Sequence, residues 1–120
     1  MTGPTTNAEM RERYEGGQLL NDGAPRNTAT DAPANGADTA IAADTDIHVV
    51  TADGTNTVDL SNVSEAGRDI VVVHNGGANT PAVAFADADF VDTGPANLTA
   101  AGETARIANI DGTASGWVVL

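Results

Sequence analysis

The sequence predicts an all-β fold, a small antiparallel β-sandwich or jelly-roll-like barrel of about seven strands, preceded by an extended N-terminal arm. Two observations carry this reading. From Asp46 onward, short apolar runs alternate with turn dipeptides, as in Asp69-Ile-Val-Val-Val-His74, Asn75-Gly76 and Pro81-Ala-Val-Ala-Phe-Ala86. Residues 1–43, by contrast, show neither strand alternation nor a sustained helical period.

Taken in order, residues 1–43 read as an arm and linker and residues 44–120 as a β-domain. Thr6-Asn-Ala-Glu9 has the spacing of a capping box, and residues 7–15 could form a short helix with Glu9–Arg13 and Arg11–Glu15 as (i, i+4) pairs. Gly16-Gly17 would end it. A helix this short is marginal in isolation, so its apolar residues Met10, Tyr14, Leu19 and Leu20 are the expected docking anchors of an arm that orders against a partner. Residues 21–36, rich in Asn, Gly, Pro and Ala, read as linker.

The expected strands run near 46–51, 56–60, 69–74, 81–86, 90–92, 97–100 with 103–110, and 116–120. Asp53-Gly54, Asn75-Gly76 and Asp111-Gly112 suit turns that need positive φ. Ile70 to Val73 are apolar on both faces, which marks a central strand. The last pair, Thr104–Ile110 and Gly116–Leu120, reads as a hairpin around Asp111-Gly112. Ile70, Val72, Phe85, Ile107 and Trp117 are the expected core. Phe85, Phe90 and Trp117 are the only aromatic residues of the β-domain, and a core this small gives little stability alone. A homo-oligomer is therefore expected.

Charge narrows the class further. Seventeen acidic residues oppose five basic ones, all arginine, for a formal net charge of −12. Self-repulsion of that size destabilises a compact state, and molar salt screens it over a Debye length of about 3 Å. The balance predicts a salt-adapted protein. It also argues against nucleic-acid partners, which need cationic side chains, and against anionic membrane surfaces. No apolar run has the length of a spanning helix, and the N-terminus lacks the apolar stretch of a secretory signal. Cysteine is absent, so neither disulfides nor thiolate metal sites are expected.

Catalytic patterns are sparse, and a non-enzyme with no cofactor and no metal site is expected. A P-loop needs a lysine, and the chain has none. His48 shares a strand face with Asp46, a spacing open to acid–base chemistry but more often structural. Asp87-Ala-Asp89-Phe-Val91-Asp92 begins like a calcium loop, yet Val91 stands where an oxygen ligand belongs. Asp87, Asp89 and Asp92, or Asp44 and Asp46, would otherwise form an irregular cation site, against the plainer reading of a solvated acidic face.

Several stretches together resemble a known group: Val58-Asp-Leu60, Gly67-Arg-Asp-Ile-Val-Val-Val-His-Asn75, Thr80-Pro-Ala-Val-Ala84, Asn97-Leu-Thr-Ala-Ala-Gly-Glu-Thr-Ala105, Asp111-Gly-Thr113 and Gly116-Trp-Val-Val-Leu120. They resemble the small β-domains of capsid decoration proteins, head fibres and tail fibres of tailed viruses. With the salt-adapted composition, the resemblance implies a virion protein of a tailed virus infecting halophilic archaea. It implies a trimer or pentamer whose β-domain projects from a major capsid or other virion protein while the arm grips the particle. The absence of a long fibre repeat favours a decoration or turret subunit; a small tail or baseplate component for host attachment is the alternative.

Overall fold

The computed structural model of the chain describes residues 26–120. Their regular elements are β1 (Thr28–Asp31), β2 (Thr39–Ala40), β3 (Ile47–Asp59), β4 (Asp69–Phe85), a 3₁₀ turn at Asp87–Asp89, β5 (Thr104–Asn109) and β6 (Trp117–Val119). The fold is all-β, and the described residues form one mixed six-stranded sheet in place of the antiparallel β-sandwich or jelly-roll-like barrel of about seven strands expected. The main path runs β1-β3-β4-β5-β6, and β2 pairs separately with β3.

The difference arises at the turn dipeptides. Asp53-Gly54 and Asn75-Gly76 do not reverse the chain into hairpins. Gly54 (φ 66°) and Gly76 (φ 80°) sit at corners inside β3 and β4, where the register between the two strands shifts. Positive φ at a bulge turns a strand sharply without ending it. Two pairs of expected strands, 46–51 with 56–60 and 69–74 with 81–86, are thus each one long bent strand.

Both arms of each bent strand pair in parallel with the strand below. Thr28, Ile47 and Val71 align on the first arm, and β2 aligns with the end of β3 through Thr39 and Val58 on the second. The chain therefore rises in three stacked coils, each an arm, a corner and a second arm, joined by two returns. Parallel strands normally need long crossovers. Here the corner has already turned the chain, so residues 41–46 and 60–68 suffice for the return. The stretch expected as linker up to residue 43 contains β1 and β2, so among the described residues the sheet begins at Thr28. The short helix over 7–15 lies outside the described residues.

The core fills the inside of the coils. Val50, Val72 and Ile70 come from first arms, Val58 and Val83 from second arms, and Ile41, Leu60 and Val63 from the returns. β5 and β6 close one side as an antiparallel hairpin, placing Ile107 and Trp117 in the core, with Asp111-Gly112 in their connection. Of the other expected core residues, Ile70 and Val72 are fully buried, and Phe85 is half-buried against the core, edge-on to Phe90. One glycine is demanded by a close approach: a Cβ on Gly77 (φ 146°) would lie 1.7 Å from the Ala52 carbonyl oxygen.

Candidate functional site

Three places bring chemistry-bearing residues together. The first is inside the coils. Thr39 donates its hydroxyl proton to Asp31 Oδ2 (2.7 Å), because a carboxylate can only accept. Its oxygen must then accept from His48 Nε2 (2.8 Å), which assigns His48 the Nε2–H tautomer. His48 Nδ1 is left buried and without a partner. Burial holds the His48 pKa below its ordinary value, and the Asp31 charge opposes this only in part. The relay links the first two coils, since Asp31 and Thr39 come from β1 and β2 and His48 from β3. His48 and Thr39 are 2% and 0% exposed, so the relay is enclosed by the core.

Asp46 takes no part. It accepts from the Asn27 backbone amide (2.8 Å) and faces Arg68 at 3.6 Å, so the sequence pairing of Asp46 with His48 is not made. Arg68 reaches on to the carbonyls of Ala43 and Thr45, clamping the return between the first two coils. His74 clamps a corner: its Nδ1 accepts from the Gly76 amide (2.9 Å) and its Nε2 donates to the Pro81 carbonyl (3.2 Å), bridging the Asn75–Thr80 excursion.

The second place is a cleft of about 190 Å³ lined by Asp59, Ser61, Val63, Ser64 and Asp89 among others. Bonds from Ser61 hold Asp59 below the usual carboxylate range. Burial, then the Asp59 charge, raises Asp89. Carboxylates set apart in this way are the raw material of acid–base chemistry, but these two lie at a surface with only serine hydroxyls beside them. Of the other expected carboxylates, Asp87 accepts from the Gly94 amide (3.1 Å). Among the described residues, no three His, Asp or Glu side chains cluster as metal ligands would.

The third place was not singled out from the sequence. Burial alternates along the first arms of β3 and β4, so Ile47, Val49, Val71 and Val73 point away from the core and are half-buried. Register sets Ile47 beside Val71 and Val49 beside Val73. Thr28 and Thr30 flank them on β1, Thr104 and Arg106 on β5, and Val118 and Leu120 extend the same face on β6. The two charged side chains on it neutralise each other: Arg106 Nη2 lies 2.6 Å from Asp69 Oδ2. The signal for this face was the unbroken Ile70–Val73 run, apolar on both sides.

The anchors expected in the arm, Met10, Tyr14, Leu19 and Leu20, lie outside the described residues. Compared with family models, curated proteins and solved structures, the chain matches none.

Proposed function

We propose that the chain is a non-enzymatic structural subunit of a virion, a capsid decoration or turret protein of a tailed virus infecting halophilic archaea. The β-domain projects from the particle, and the arm docks on a major capsid or other virion protein through Met10, Tyr14, Leu19 and Leu20. The subunit works as a homo-oligomer, a trimer or pentamer.

One observation carries this reading. The buried polar side chains are engaged in holding the coils together: the His48 relay joins β1, β2 and β3, His74 pins a corner, and Asn56 and Asn109 each make three bonds to loop backbone. Such a chain builds a rigid, acid-coated block, which is what a projecting subunit requires. The sequence resemblance and the charge of −12 supply the virion and the salt. Immunogold labelling of purified particles tests the proposal. Labels over the shell are expected. Labels confined to the tail tip would transfer the chain to host attachment, and unlabelled particles would refute a virion role.

A further inference from the structure

We propose that the outer face of the first arms, built on Ile47, Val49, Val71 and Val73, is where a second copy of this chain binds. This deepens the reading of the chain as an assembling subunit and rests on it. Three physical points select the face and the occupant.

Parallel strands are ordinarily covered on both sides, because they carry apolar residues on both. The inner side of β3 and β4 is covered by the core, while the outer side presents four β-branched residues in two adjacent registered pairs. Strand spacing and rise give this face about 400 Å² across five strands and five residues. Its apolar centre, the two β3–β4 pairs, is flanked by Thr28 and Thr30 on one side and by Thr104 and the Asp69–Arg106 pair on the other.

Electrostatics selects the occupant. A chain with net charge −12 repels its own copies almost everywhere. The outer face is the exception, because its Asp69 and Arg106 charges cancel within one ion pair. Two copies meeting here bring no net charge together, whereas contact through the acidic cleft would oppose Asp59 and Asp89 to like charges.

Area also fits a self-contact with a rim. A standard interface buries about 800 Å² per partner, roughly twice this face. Leu120 and Arg106 border a groove lined by Pro95, Leu98 and Val119 together with the acidic Glu103, so the neutral contact ends at that edge. Leu120, 62% exposed, supplies further apolar contact on the outer face itself. Flat sheet faces also pack well on one another, about 10 Å apart.

Sedimentation velocity of the full chain in molar potassium chloride, across a concentration series, tests the assignment. The wild type should associate. Val71→Thr keeps the β-branched shape and should weaken association by about tenfold or more. Thr104→Glu, at an exposed position of the same face, should abolish it while circular dichroism stays unchanged. Val91→Thr, exposed elsewhere, should associate like the wild type. A monomeric wild type overturns the proposal, as does undiminished association in Thr104→Glu or equal loss in Val91→Thr. Particle labelling does not depend on these outcomes, so a labelled shell with a monomeric wild type refutes the contact and leaves the virion role standing.

Discussion

His48 shows how a histidine is drawn into the hydrogen bonds that join two coils. Its Nε2–H is held by Thr39, whose own proton goes to Asp31, so a second proton could only enter at Nδ1. That atom is buried and faces no acceptor. The folded pKa is therefore lower than the unfolded value of about 6.5. Below that pH the unfolded chain binds more protons than the folded one, so stability is fully present above about pH 6.5 and declines as pH falls toward the folded pKa. Asp89, raised by burial, would add stability as pH falls, so a loss of stability just below about pH 6.5 points to His48. Thermal unfolding in molar salt should show a falling midpoint there, and His48→Gln should flatten that fall. An unchanged slope in the variant would assign the titration elsewhere.

At the scale of elements, the first coil shows what the sequence concealed. Thr28-Ala-Thr-Asp31 and Thr39-Ala40 are short and polar, and they pair only because β3 offers its edge. Their second attachment is Asn56, fully buried, which donates from Nδ2 to the carbonyls of Ala34 (3.1 Å) and Ala37 (2.8 Å). Deleting residues 1–38 removes both acceptors and β1. Leaving a buried donor unpaired costs about 1–3 kcal/mol, and the deletion should lower the unfolding midpoint by several degrees or more, measured by circular dichroism in molar salt. Full retention of the midpoint would show that the first coil contributes nothing. The apolar strands, the β5–β6 hairpin and the buried Ile70, Val72, Ile107 and Trp117 were legible because local alternation encodes them. The coils were not. An Asp-Gly or Asn-Gly pair specifies positive φ, which serves a hairpin and a strand corner equally well. The stacked coils also share a register without sharing a sequence motif.

The described residues combine an acid-rich composition with a face whose two charges pair, and an interior tied together by histidine and asparagine. Parallel stacking explains why the outer side of β3 and β4 stayed apolar, a fact that the residues carry but that only the pairing makes visible. Each feature suits a block that repeats on a larger surface and needs salt to tolerate its neighbours. That account implies a fixed and high copy number. Quantitative mass spectrometry of purified particles, reading this chain against the major capsid protein, measures it directly. A constant ratio, reproducible between preparations and amounting to many copies per particle, is the predicted result. Absence of the chain from particles, or trace amounts that vary between preparations, would contradict the account.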